Sequence, residues 1–462
     1  MLGHLHLIGS KSLHVVLEEL SHIYGSVYEL RLGSHQTVVL CDKKSVKEAF
    51  VKKAKDFSGR PDLPTFSFTR QNCIGVSLCD YSEHYLSNRK KTVQVIHKFL
   101  LNEENIDRLF QKESSKMVEL LDGYVESEKS FYPLGEFEKI IPSLFLSLMY
   151  GIHLSYDDDE LKNIVSMYQK WFNAAEADNP ADFFPLLSKL PNKRLAQVTE
   201  CGREFEKYNL ARIKKEILLK RDGNNNKEEC ETTDTLLRLL IRDDDISSFD
   251  DLEFCRETAK IISDMIGGGF DTSTAILSWA ILYLINNPSV IEKCRQELSA
   301  AANQGNILVR YKSACPYFSA TIYEILRLSC VAPTGIIHST TCNSTIQGMP
   351  IDKDTIVIAN LRQLNYDTND WAEPHKFRPE RFFKSGTDEL DSQAINNIAT
   401  FSAGVRRCPG DKIAFSMIFV LLGTIIERYD IQLMQPPEDM EPIRGMTSKP
   451  KHYLVELSQK TV

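Results

Sequence analysis

No uninterrupted apolar run in this 462-residue chain reaches the ~18–20 residues that a membrane span needs. The longest, Ile413 to Ile426, is too short and contains Gly423. The chain begins Met1-Leu2-Gly3-His4-Leu5-His6, without the pattern of a signal peptide. Positive charge is also scarce. A net charge of −8 and a pI near 5.8 argue against a nucleic-acid partner, which would select a basic protein or a basic stripe. The eleven cysteines include no Cys-x2-Cys pair, and the closest two, Cys73 and Cys79, have no further Cys or His at ligand spacing. This leaves no zinc pattern and no disulfide framework, and points to a reducing compartment. Neither an internal repeat nor a long Pro/Gly/Ser linker divides residues 1–462, so one catalytic domain is expected. The most polar interruption, Gly223 to Glu229, reads as an exposed loop between helices.

With 42% hydrophobic and 26% charged residues, the chain has ample material for a large core. Helical period dominates. It runs over Asp42 to Lys53, Glu104 to Tyr124, Asp157 to Phe172, Leu195 to Lys220, Phe254 to Asn286, Ser289 to Ala301, Tyr317 to Ser329 and Asp411 to Arg428. A hairpin is expected over Val27 to Leu40, turning at Gly33-Ser34-His35. A second β region follows Pro333, through Ile336 to Thr341, Thr345-Ile346 and Thr355 to Ile358. The fold is therefore mainly α, with a minor sheet near each end. Asp178 to Asn192 holds Phe183, Phe184, Leu186, Leu187 and Leu190 among prolines. It either folds back onto the core or forms an interaction patch.

One cysteine stands apart. Cys408 lies in Phe401-Ser402-Ala403-Gly404-Val405-Arg406-Arg407-Cys408-Pro409-Gly410, just before a helix. The helix N-terminus and the arginines should favour thiolate over thiol. A thiolate is a nucleophile or a metal ligand. A nucleophile needs a base, and no His is near in sequence, though a distant one could approach in space. Zinc needs further ligands, whereas a haem iron needs only this one. A buried structural cysteine is the plain alternative.

Two further patches carry chemistry. Gly267-Gly268-Gly269-Phe270-Asp271-Thr272 weakens the middle of the longest helix, at roughly 1 kcal/mol per glycine relative to alanine. Thr272 can bond back to a preceding carbonyl and open the helix, giving a groove with proton donors. Close helix packing would select the same glycines. Glu324 and Arg327 share a helix face among apolar neighbours, so a buried pair is expected, with Arg381 as a third partner.

Together these patches resemble the cytochrome P-450 superfamily. The Cys408 stretch matches its haem loop, Phe-x-x-Gly-x-Arg-x-Cys-x-Gly, at Phe401, Gly404, Arg406, Cys408 and Gly410. Gly268 to Ser273 matches its oxygen-binding helix, Glu324 and Arg327 its Glu-x-x-Arg, and Arg381 the arginine of its Pro-Glu-Arg-Phe. The resemblance implies a cytochrome P-450 fold with haem between the long central helix and the Cys loop. It implies haem b (iron protoporphyrin IX) with Cys408 as the axial ligand, and O2 and NADPH-derived electrons as co-substrates. Asp271 and Thr272 would relay protons, and Glu324, Arg327 and Arg381 would form a structural triad under the haem. Arg406, Arg89 and His338 would bind haem propionates. Tyr85 stands where the family usually has tryptophan, and its hydroxyl could serve as the donor.

Asp56 to Pro61, Leu277 to Ala280 and Val331 to Pro333 resemble animal microsomal steroid 17- and 21-hydroxylases. Arg60 to Asp62 and His338 to Thr341 resemble aryl-hydrocarbon hydroxylases. The expected function is a monooxygenase acting on a steroid or similar lipid, with an aryl-hydrocarbon hydroxylase or a non-catalytic haem or lipid binder as alternatives. The expected pocket walls are Phe66, Phe68, Ile266, Gly267, Phe270, Ala332, Ile336 and Ile337. The resemblance also implies NADPH-cytochrome reductase and cytochrome b5 as electron donors, docking on Arg89, Lys90, Lys91, Lys98, Arg407 and Lys412. It implies the cytoplasmic face of the endoplasmic reticulum membrane. The family's apolar anchor is not seen before Leu2, which reads as truncation.

Overall fold

The computed structural model describes residues 3–8, 11–67, 75–176, 179–221, 235–241, 252–302, 305–443 and 445–460. The polar loop 223–229 and Phe68 lie outside them. Ten helices longer than ten residues carry the described fold. They are α1 (Leu13–Tyr24), α2 (Glu83–Leu101), α3 (Glu103–Ser127), α4 (Pro133–Tyr150), α5 (Asp159–Ala174), α6 (Lys193–Arg221), α7 (Leu252–Ile285), α8 (Pro288–Ala302), α9 (Pro316–Ser329) and α10 (Asp411–Arg428). Most coincide with the periodic stretches to within a few residues.

Three helices, α1, α2 and α4, lie outside the periodic stretches. The buried stripe of α2 runs through Tyr85, Asn88, Thr92, Val95, Ile96 and Phe99, so polar residues interrupt its apolar period. In α4 nearly every face is buried and Pro142 lies inside, so no single stripe stands out. Asp42 to Lys53 is not one α-helix. After Lys43–Lys47 it widens into a π turn over Glu48–Lys52.

The strands correct a second expectation. Val27–Leu32 (β1), His35–Leu40 (β2), His338–Ser339 (β3) and Ile356–Ala359, which pairs parallel to β2, form a single sheet, not one near each end. The hairpin pairing Tyr429–Gln435 with Leu454–Gln459 was not anticipated.

Helix α7 is long and apolar enough to cross a membrane by length and composition, but it is mostly buried among α4, α6, α9 and α10. It therefore serves as the central beam. One of its faces is left to a cavity, and the loop before α10 is held by β-sheet, π turn and α2.

Candidate active site: a thiol loop, a buried ion network and a cavity

The Cys408 loop is held at close quarters. Gly404 has φ +69°, and a Cβ there would lie 1.7 Å from the Phe50 carbonyl oxygen in the π turn, so no other residue fits. The Cys408 N–H donates to the Phe401 carbonyl at 2.9 Å. Cys408 has protein atoms on all sides, yet the residue keeps an accessible surface. A Cβ on Gly410 would stand 3.9 Å from the sulfur, and the Gly410 N–H bonds to it. The expectation of a thiolate stabilised by its surroundings needs correction. Burial pushes the thiol up, more than the Gly410 N–H, Arg407 and Arg89 pull it down. A bound metal ion reverses that balance, because a coordinating thiol is deprotonated outright.

The arginines and Tyr85 are placed differently from expectation. Arg406 is buried and donates to the carbonyls of Ser58, Val76 and Cys79, with no carboxylate in ion-pair range among the described residues. Tyr85 spends its hydroxyl on the Val405 carbonyl at 2.8 Å, and Arg406 lies over its ring at 3.7 Å. It braces the loop rather than offering a donor. Arg89 donates to the Arg407 carbonyl at 2.5 Å. His338 sits on the expected strand. Its Nδ1 lies 2.7 Å from the Phe57 carbonyl and donates to it, which leaves Nε2 for a further partner. Burial, and after it the Arg60 charge, pushes the ring's pKa well down. A second buried guanidinium, Arg60, was not singled out beforehand. It donates to the carbonyls of Ser77, Ile336 and Ile337. Two buried cations and an accessible Cys408 fit a planar dianionic group with a thiolate-binding centre.

The ion network forms as expected. Arg327 makes a fork on Glu324 at 2.8 and 2.9 Å, and Arg381 adds a bond at 3.1 Å. Side-chain exposure of Glu324 and Arg327 is 0%. The unforeseen member is Asn365. It donates to the Arg327 carbonyl and to Thr400, and accepts from the Ala399 N–H. The network is thereby tied to the residues that lead into Phe401.

On α7 the three glycines separate. A Cβ on Gly269 would meet the Phe145 ring at 2.0 Å, so that glycine serves packing. Gly267 and Gly268 face the cavity, and Gly268 has nothing within 4 Å of a Cβ. Thr272 bonds back to the Gly268 carbonyl at 2.7 Å, but α7 continues unbroken. Asp271 does not pair with Thr272. Its carboxylate holds Lys449 at 2.6 Å and Thr447.

The cavity, about 470 Å³, is walled by Phe66, Gly267, Ala332, Ile336 and Ile337, as expected. Ile266 and Phe270 are not on it. They share a face of α7 that turns into the core, where Phe270 packs on Tyr168. Sequence reading missed Tyr168, Trp171, Phe172 and Phe205, which α5 and α6 supply. It also missed Asp264, which accepts from Val76 N–H, Ser77 N–H and the Ser77 hydroxyl and so fixes the cavity roof. The segment around residues 180–190 divides. Phe183 lines the cavity, while Leu186, Leu187 and Leu190 are exposed.

A mainly helical protein with an accessible cysteine on a loop, braced by a buried Glu-Arg-Arg set, has the makings of a haem-thiolate protein. Residues 1–457 match the sequence profile of the family described as Cytochrome P450, and the chain belongs to that family. It is 29% identical to cytochrome P450 1A5 of Gallus gallus, over 96% of this chain and 86% of the relative. Against cytochrome P450 1A1 of Oryctolagus cuniculus the identity is 28%, over 97% and 87%. Members are monooxygenase oxidoreductases that use haem b, O2 and NADPH-derived electrons, and work with redox partners on apolar substrates.

Proposed function

We propose that this chain oxygenates a flat, apolar molecule of polycyclic-aromatic size, with Cys408 as the axial ligand of the iron. The observation that carries the ligand assignment is the Cys408 residue, accessible at the head of α10 on a loop that Gly404 fixes against the Phe50 carbonyl. Haem, when bound, supplies the activation of dioxygen. The chain's own residues do the rest. Gly410 N–H and the start of α10 stabilise negative charge on sulfur, while Phe401 and Gly404 fix the loop. Arg406 and Arg89 supply positive charge for the propionates, and the Arg60 guanidinium adds to it. Glu324, Arg327 and Arg381 hold the loop through Asn365. Thr272 presents a hydroxyl to the cavity, where Phe172, Trp171 and the residues around them exclude water.

The aromatic wall favours a flat aromatic over a steroid. The stretch Leu277 to Ala280, which favoured steroids, is buried within α7 and off the cavity, so it cannot touch a substrate. A steroid remains the second reading, because Ala332 and Pro333 do line the cavity. Lys90, Lys98 and Lys412 are exposed, which suits docking of an acidic reductase and of cytochrome b5. The exposed Leu186, Leu187 and Leu190 beside cavity-lining Phe183 suit contact with the endoplasmic reticulum membrane on its cytoplasmic side.

Carbon monoxide difference spectra of the reduced protein test the ligand. The expected result is a thiolate-type spectrum that Cys408→Ser abolishes; a histidine-type spectrum, or none lost in the variant, refutes it. Binding spectra with pyrene and progesterone, followed by turnover with reductase and NADPH, rank the substrates. Binding without turnover would favour a carrier.

A further inference from the structure

Asp271 is sealed off by a turn that itself forms the cavity wall. Lys260, Asp264 and Gly267 line the cavity at helical spacing, and Asp271 continues their stripe. Yet Asp271 is only 4% exposed, because Thr447 and Lys449 cover its carboxylate. Both belong to a turn closed by the Ile443 N–H donating to the Lys449 carbonyl at 2.8 Å. Ser448 fastens the turn on both sides. Its N–H donates to Val331, and its carbonyl accepts from the Trp279 indole. From the other side, Gly445, Met446, Thr447 and Ser448 line the cavity. Lys449 also faces Glu138 of α4 at 3.7 Å, and the side chains of both are about a fifth exposed, at 23% and 22%. Charged groups thus run from solvent through Glu138 and Lys449 to Asp271, and the Thr447 hydroxyl joins Asp271 to the cavity. Asp271 makes no hydrogen bond to Thr272 among the described residues; Thr272 is bonded to Gly268 instead.

We propose that Thr447 is the hydroxyl through which Asp271 serves the cavity, and that Lys449 is the positioning residue that holds Asp271 onto it. This rests on the monooxygenase reading of the same site. Asp271 first takes a proton from solvent past Glu138 and Lys449. The Thr447 hydroxyl, which donates to the carboxylate at rest, then accepts that proton as it gives its own to an acceptor in the cavity. The ammonium of Lys449 fixes the carboxylate rather than reacting.

The test compares Thr447→Val, Lys449→Met and Lys449→Arg in the haem-loaded protein with reductase, NADPH and pyrene. Thr447→Val and Lys449→Met are expected to raise hydrogen peroxide released per NADPH by about tenfold or more, and to enlarge the solvent deuterium isotope effect, at unchanged carbon monoxide spectrum. Lys449→Arg should behave as wild type. Amide hydrogen exchange over residues 445–449, read without turnover, should quicken by about tenfold in Lys449→Met and recover in Lys449→Arg. Wild-type peroxide yield in both Thr447→Val and Lys449→Met overturns the proposal, as does an arginine variant that fails like methionine. A wild-type protein with the thiolate spectrum that oxidises no NADPH overturns the monooxygenase reading itself; unchanged exchange in Lys449→Met overturns the tether alone.

Discussion

The loop side of Cys408 and the cavity side are built on opposite terms. On the loop side, charges are buried and answered: Glu324 by two guanidiniums, Arg327 by Glu324 and the Asn365 carbonyl, Arg406 by three carbonyls. On the cavity side, aromatic and aliphatic side chains from α5, α6, α7 and the C-terminal turn stand around open space. The first arrangement holds one geometry at high cost of error, since a single missing partner strands a buried charge. The second tolerates change, because shape rather than pairing defines it. A protein that keeps one cofactor and varies its substrate needs this division.

The division can be broken most severely at Glu324. Glu324→Ala leaves Arg327 and Arg381 buried without their anion, a loss of about 3–5 kcal/mol. Thermal unfolding and haem content should both fall, and retention of both would refute the bracing role. Gly404→Ala and Gly268→Ala sharpen the contrast with one atom. At Gly404 the left-handed backbone and the Phe50 carbonyl resist a Cβ, so a loss of ~1–3 kcal/mol and of haem is expected. At Gly268, where the space is open, the same change should stabilise the helix by up to ~1 kcal/mol and alter ligand binding instead. Phe172→Leu on the cavity wall has an effect of similar size, confined to the ligand. Pyrene affinity should weaken by about 0.5–1.5 kcal/mol in binding spectra, with the carbon monoxide spectrum unchanged.

The loop side was the more legible in sequence, because its requirements are local. Gly404, Arg406 and Cys408 must stand at fixed spacing on one turn, and Glu324 and Arg327 at i and i+3 on one helix. What escaped there joined from afar: Asn365 and Arg60 reach partners distant in the chain, and the motifs that include Arg60 did not show which carbonyls it would meet. His338 was placed on the right strand, whereas the helix that carries Tyr85 was not anticipated. Their partners, the Phe57 and Val405 carbonyls, changed what they can do. The cavity was read in part: Phe66, Gly267, Ala332, Ile336 and Ile337 line it, while its α5 and α6 aromatics were missed. Ile266 and Phe270 were chosen for being beside Gly267, whereas helical rotation sends them into the core.

The sequence by itself determined the class of protein, the cysteine that singles it out and most of the long helices, because periodicity and motif spacing are local properties of a chain. It did not determine that two distant β regions form one sheet, or that a π turn brings the Phe50 carbonyl against Gly404. Nor did it determine that a turn near residue 447 closes over Asp271. Those depend on which surfaces meet when the core closes, and only the tertiary structure decides that.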